Sequence, residues 1–459
     1  MDNRFITLLR TVRASYWFVP SVMVLGAFIL AAATFWLDTQ VSADAIREIG
    51  FLAVREPDGA RAILSAIAGS LISVVGITFS ITIAAVSFAS GNYGPRIIGN
   101  FMRDRGNQVT LGIFVGTFVY SLLILGTVRD VTGDTDLEPF VPYYSILTTL
   151  FLTISAIGML IYFFHHIPAS INIQNLTTSL GQKLRASVSE IFPNDYTGSS
   201  DDLPDDPPDW PKVIASRTRT SVTLNDCGYI RSIDIARLEK CALDHDAYIE
   251  LQYRPGEFVT EEDEVFDLYT NDQEVAEKLV TTVCKSVTVG GQKTFDQNIL
   301  FLVDTLNEIG IRALSPGVND PQTAIACMDW MRAAANSFGD RPLETTSDPV
   351  RVKVEPLRFY DFIDRAFGSV RPYAAGDRNA ALHLVMVLTE IADDLPQGKR
   401  RTQVTEELDR FIAEVKALNP NTPWRDEVVR RYDEAQTLLS SKKARRRLRN
   451  SRAWFGGKA

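Results

Sequence analysis

The sequence predicts a mainly α-helical membrane protein: a four-helix transmembrane domain, then a small β-rich, barrel-sandwich-like module, then an α-helical cytoplasmic domain. Three observations predict it. Residues 1–168 hold four long apolar runs free of Asp, Glu, Lys and Arg. Residues 212–270 alternate apolar and polar positions around Gly and Pro-Gly turns, and helical spacing governs residues 271–440. At 459 residues the chain exceeds what a single core organises. The net charge of −9 comes mainly from the second half and the loops and argues against nucleic-acid binding.

The spans 16–37, 62–90, 109–128 and 141–164 each reach the roughly 20 residues that a helix needs to cross a hydrocarbon core. Trp17 and Trp36 stand at the two ends of the first, where amphipathic rings prefer the headgroup level. A cleaved signal peptide is the alternative for this run, because Arg4, Arg10 and Arg13 precede it and Ala31, Ala32 and Ala33 resemble a processing site. The run is too long for a signal core and the alanines lie inside it, so it reads as an uncleaved anchor.

The second span contains "GSLISVVGITFSITIAAVSFASG". On a helix, Gly69, Ser73, Gly76, Ser80, Ala84, Ser87 and Gly91 fall within about 80° of one another. Roughly opposite lie Thr78, Thr82, Ala85 and Ala89. Small residues let helices approach closely in lipid, so one such face needs only a packing partner. Two opposed faces suggest a central helix that touches a neighbouring span on one side and a symmetry mate or a wet axis on the other. No span carries an Asp or Glu for a proton relay.

Lys and Arg near the span ends set orientation. The N-terminal arm, the loop bearing Arg96, Arg103 and Arg105, and the segment bearing Lys183 and Arg185 outweigh the opposite side, where the loop from Asp38 to Arg61 has three and Arg129 faces Asp130, Asp134, Asp136 and Glu138. Both termini are therefore expected to be cytoplasmic. His165 and His166 are adjacent, cannot share a helix face, and read as interfacial residues.

After a break at Pro168, residues 169–192 form a juxtamembrane amphipathic helix with Ile173, Leu176, Leu180, Leu184 and Ile191 at helical spacing. Residues 193–211 are a Pro- and Asp-rich linker. In 212–270, "GYIRSID" and "RPGEFVTEEDEVF" look like the two halves of a lipoyl-like barrel sandwich, with a short helix near Ile235–Leu243. Lys240 falls in that helix, so no covalent cofactor is expected.

From residue 271 to 440 helices dominate, including 358–370, 380–394, 404–418 and 423–440. "FDQNILFLVDTLNEIGIRALSPGVNDPQTAIACMDWMRAA" reads as helix, compact turn, helix, with Asp320 as N-cap and Pro321 at the first helical position. Arg312, Ser315, Asn319 and Asp320 are candidate cytoplasmic ligand residues at that helix start. The simpler reading is a capped hairpin with Glu308 and Arg312 as a surface pair. The tail, 441–459, carries eight Lys and Arg, among them Lys442, Lys443, Arg445, Arg446, Arg447 and Arg449, beside Trp454 and Phe455. In a membrane-anchored protein this fits anionic lipid headgroups.

"GITFSITIAAVSFASGNYGPRIIGNF" and "RALSPGVNDPQTAIACMDWM" resemble a bacterial family of predicted integral membrane proteins defined only as a domain of unknown function. "KTFDQNILFLVD" resembles it too, with Asn298 where the family pattern has an acidic residue. The resemblance implies the architecture and a bacterial inner-membrane location, and no reaction.

No P-loop, dinucleotide fingerprint, metal-ligand spacing or nucleophile elbow is present, and there are only four histidines. Four scattered cysteines fit a reducing compartment. The expectation is no enzyme, no metal and no cofactor. Two readings remain open: a homo-oligomeric channel-like conduit for ions or small solutes with a cytoplasmic gating or sensing domain, or an anchored scaffold that recruits partners.

Overall fold

In the computed structural model, the described residues are 15–40, 56–98, 101, 104–129, 140–191, 210–295, 297–339, 351–354, 357–418 and 421–440. The chain divides into two compact units, Met1–Asn175 and Leu176–Ala459.

Among the described residues of the first unit, four helices are long and apolar enough to cross a membrane: α1 (Phe18–Gln40), α2 (Pro57–Tyr93), α3 (Arg105–Leu125) and α4 (Tyr143–Ile171). They contain the cores of the predicted spans and extend some of them. Helix α3 is central, packing against α1, α2 and α4. Its apolar window is 56% buried against 17–22% for the others. Absent side chains make this possible. A Cβ at Gly112 would overlap the Met23 side chain of α1, and one at Gly106 would lie 2.6 Å from the Tyr162 hydroxyl and 2.8 Å from His166 Nε2 of α4. Helix α2 stops at Gly94, whose φ of 114° suits glycine and whose N–H donates to the Ser90 carbonyl at 3.1 Å. "GNYGPR" is therefore a helix stop followed by the short 3₁₀ turn Pro95–Ile97.

The expected break at Pro168 is not there: Pro168 lies inside α4, and the chain leaves the helix at Asn172, which is extended with ψ 121°. Proline removes one backbone donor. Asn172 offers a new start, since its side-chain oxygen accepts from Gln174 N at 2.9 Å and opens α5 (Ile173–Ile191).

In the second unit α5 buries Leu176, Leu180, Leu184 and Val188, one residue every fourth position. A short helix, α6 (Trp210–Ile214), leads to β1 (Thr218–Thr223) and β2 (Gly228–Ile233). Next come α7 (Ile235–Asp244), β3 (Tyr248–Leu251), β4 (Phe258–Val259), β5 (Glu264–Thr270), α8 (Gln273–Cys284) and β6 (Val287–Gly290). The barrel-sandwich expectation gives way to two open sheets. One has the order β1-β5-β3-β7, with β7 (Val352–Val354) parallel to β3, and the other β4-β2-β6. No closed barrel forms among the described strands. Apolar side chains from α7 and α8, including Leu238, Cys241, Leu279 and Val283, join Ile249, Phe266 and Leu268 in one core, so helices rather than a closing sheet cover the strands. Two of the strands, β6 and β7, come from the stretch expected to be helical.

The remaining helices are α9 (Ile299–Ala313), α10 (Pro321–Gly339), α11 (Phe359–Ile363), α12 (Arg371–Ala374), α13 (Arg378–Asp394), α14 (Lys399–Leu418) and α15 (Pro423–Ser440). Helix α13 packs against α10, α14 and α15, and Leu384, Val385, Leu388 and Ile391 are buried along it. The helix expected over 358–370 is instead α11 followed by a π turn, Asp364–Gly368. Arg365, within that turn, pairs with Asp304 of α9, and Arg371 of α12 pairs with Glu407 of α14.

Candidate functional site

Helix α2 presents its two small-residue faces to different surroundings. Thr78, Thr82, Ala85 and Ala89 are buried in the first unit. Gly69, Ser73, Gly76, Ser80, Ala84 and Ser87 are exposed, and a Cβ at Gly69, Gly76 or Gly91 would meet nothing within 4 Å. Two hydroxyls on the outer stripe are satisfied by their own helix: Ser73 donates to the Gly69 carbonyl at 3.0 Å and Ser80 to that of Gly76 at 2.8 Å.

Carboxylates mark both ends of the helical unit. Helix α1 runs past the predicted span to include Asp38. Its Oδ1 accepts from Tyr144 N at 2.7 Å and its Oδ2 from Ser145 N at 3.1 Å and Ser145 Oγ at 2.6 Å. A carboxylate on the first amides of α4 complements the positive end of that helix. Beside it, buried Tyr120 lies 2.8 Å from Thr34 Oγ1 and donates to the Ser145 carbonyl at 3.3 Å.

At the other end, Asp104 Oδ1 caps α3 by accepting from Asn107 N at 2.9 Å and lies 2.9 Å from His166 Nε2. The Tyr162 ring stacks on His166 at 5.0 Å. His166 is thus held by Asp104 on one side and the Tyr162 ring on the other. Between the two ends Thr78, Thr82, Asn107, Thr110, Thr117, Ser121, Ser145 and Thr149 are all buried. Thr78, Thr82, Thr110, Ser121 and Thr149 each donate to the carbonyl four residues earlier. Hydropathy windows hide this arrangement, because they stop short of Asp38 and Asp104 and score Thr and Ser as neutral. The sequence signal for Asp104 was its position as an N-cap just before an apolar run.

The turn after α9 is closed on itself. Ser315 Oγ donates to the Arg312 carbonyl at 2.6 Å, Asn319 N to the Ser315 carbonyl at 2.9 Å, and Asp320 N to the Ala313 carbonyl at 2.8 Å. Asp320 caps α10, accepting from Thr323 N at 3.3 Å and Thr323 Oγ1 at 2.6 Å. Asn319 holds φ 51°, and Arg312 lies 3.8 Å from Glu308. These contacts give all four residues structural roles. Asn298 is buried at the start of α9 with its amide against Gly256. The basic residues Lys442, Lys443, Arg445, Arg446, Arg447 and Arg449 lie outside the described residues.

One face of the four-stranded sheet carries a lattice of charges. Asp267 is 1% exposed and accepts from Arg219, from Ser221 Oγ at 2.9 Å and from Gln252 Nε2 at 2.7 Å. Glu250 accepts from Tyr269 at 3.0 Å and from Lys353 at 2.8 Å. Desolvation, with the Glu250 hydrogen bond and charge behind it, pushes the Tyr269 phenol up to about 12. Asp246 is held below the usual carboxylate range by hydrogen bonds from Arg351 and Arg217, and both guanidiniums lie over the Tyr248 ring. An open cleft of about 540 Å³ borders this face at Arg219, Gln252, Tyr253, Glu257 and Glu264. Among the described residues no group of three or more His, Cys, Asp or Glu could hold a metal.

A family model described as predicted membrane protein (DUF2254) matches residues 13–390. Uncharacterized proteins of Mycobacterium bovis and Mycobacterium tuberculosis are 26% identical over 364 residues, covering 77% of this chain and 67% of theirs. No solved structure matches.

Proposed function

This chain belongs to the DUF2254 family of predicted membrane proteins, and from that premise we propose a homo-oligomeric, channel-like conduit for ions or small solutes in the bacterial inner membrane. The observation that carries the reading is the open stripe of α2. Its glycines and serines face outward between large apolar flanks, Ile72, Phe79 and Ile83 on one side and Ile77 and Phe88 on the other. Such a groove is poorly filled by lipid tails and well filled by a second helix. The second unit gates or senses from the cytoplasm, both termini are cytoplasmic, and the basic tail rests on anionic headgroups. We assign the protein no catalytic residue and no cofactor.

A second reading, an anchored scaffold that recruits partners, is favoured by the self-satisfied hydroxyls of Ser73 and Ser80. Single cysteines at Ser73, Ser80 and Ser87 in a cysteine-free background separate the two. A hydroxyl-lined path makes them react with small aqueous thiosulfonates and alters ion flux. If all three stay inert while crosslinking to a neighbouring copy, the stripe is packing only and the scaffold reading takes over.

A further inference from the structure

Asn107 is 2% exposed, and among the described residues neither its side-chain nitrogen nor its oxygen has a hydrogen-bond partner. An unsatisfied amide inside an apolar helix bundle is strongly unfavourable, so a native fold that keeps one has something to pair it with. Its direction follows from its register. Asn107 precedes Phe114 by seven residues, close to two turns, and shares its face. Phe114 packs with Leu71 of α2 and Ala156 of α4 in one apolar cluster, so that face looks between α2 and α4. Thr110 follows on the same side. Seven residues from Leu71 toward the same end lies buried Thr78, which brings it level with Asn107, about 10 Å from the cluster. The pattern repeats beyond the cluster, where Ser121 is seven residues after Phe114 and Thr149 seven before Ala156, both fully buried.

The chemistry of the amide selects the occupant. A bare cation satisfies only the oxygen and an anion only the nitrogen, whereas water donates and accepts. One turn away, Asp104 and His166 form a carboxylate–imidazole pair that can hold a proton. We propose that Thr78, Asn107 and Thr110 hold water inside each subunit and, with Asp104 and His166, form the loading half of a proton route through the four-helix unit. Leu71, Phe114 and Ala156 interrupt the route as an apolar gate that excludes water, and Ser121, Thr149 and Asp38 lie beyond it. A proton passes from water to the Asp104–His166 pair and back to water, so only O–H and N–H bonds change. The proposal keeps from the proposed function only that the protein conducts, and places the path inside each subunit instead of along the α2 stripe.

The full chain, reconstituted in phosphatidylcholine–phosphatidylglycerol vesicles that enclose a pH-sensitive dye, tests it under an imposed pH step at clamped voltage. Phe114→Ala should raise proton flux at least about tenfold, the effect of about 1.4 kcal/mol removed from the barrier, with Na⁺ and K⁺ flux unchanged. Asn107→Leu, close in size, should cancel that gain in the double variant. Isosteric Thr78→Val repeats the test if Asn107→Leu fails to assemble. The inference is overturned if Phe114→Ala passes Na⁺ or K⁺ as readily as protons, if the folded double variant keeps the full gain, or if wild type and Phe114→Ala are both impermeable to protons. Ser80→Ala distinguishes the two readings: loss of flux there, with Asn107→Leu unaffected, upholds the stripe conduit and removes the internal route.

Discussion

Replacing Gly181 by alanine tests how α5 is held in the second unit. A Cβ at Gly181 would overlap the Trp330 indole of α10, with ring carbon Cε3 2.5 Å away and two others nearer still. Two effects oppose each other. Alanine in a helix interior is favoured over glycine by about 1 kcal/mol, while forcing a methyl into a filled contact costs roughly 1–3 kcal/mol. Trp330 is only partly buried, so the ring can give a little, and the net expected destabilisation is about 1 kcal/mol. In a Trp330→Ala background the contact is gone and only helix propensity remains, so Gly181→Ala should there stabilise by about 1 kcal/mol. The sign inverts. Hydrogen exchange of α5 amides in the detergent-solubilised full chain, read as a double-mutant cycle, measures both values. Greater α5 protection in Gly181→Ala with Trp330 present would refute the reasoning, because the Gly–Trp contact would then not limit the docking.

Asp320→Ala should lower stability by about 1 kcal/mol and Asp320→Ser by much less, since the serine can still accept from Thr323 N, and denaturant melts with a parallel flux assay will show whether function merely tracks stability. In an ultraviolet titration the Tyr269 phenol should ionise well above the range of an ordinary tyrosine. Because its folded-state pKa is raised to about 12 from an ordinary value near 10, its contribution to stability is intact below pH about 10 and fades as pH climbs through 12. Tyr269→Phe should remove that alkaline loss. Cys227 is exposed and Cys327 buried with its thiol pushed up by that burial. In detergent, maleimide should therefore label Cys227 quickly and Cys327 only after unfolding. In intact cells an impermeant maleimide should label none of the four, and labelling of Cys227 or Cys284 would reverse the proposed orientation.

By itself the sequence determined the four apolar helices, the amphipathic helix after them and the capped hairpin at Asp320, because each rests on local physics. Length and hydropathy mark a span, a fixed period marks a buried face, and an N-cap side chain reaches only its own first turn. Where a feature depends on partners far along the chain, only the tertiary structure decided it. Strand β7 is three residues whose neighbour, β3, lies some hundred positions earlier, and the barrel expectation failed because α7 and α8 cover the strands. Pro168 reads locally as a break, yet the helix continues to Asn172. The same division holds for the candidate sites. The small-residue stripe was legible as a period of the α2 sequence, but its openness followed only from which face α3 and α4 occupy. Asp104 and His166, sixty-two positions apart, and Asp38 and Ser145, more than a hundred apart, were invisible to any window. Hydropathy scores a residue by its own side chain, whereas the function of a buried polar group is set by which distant group meets it.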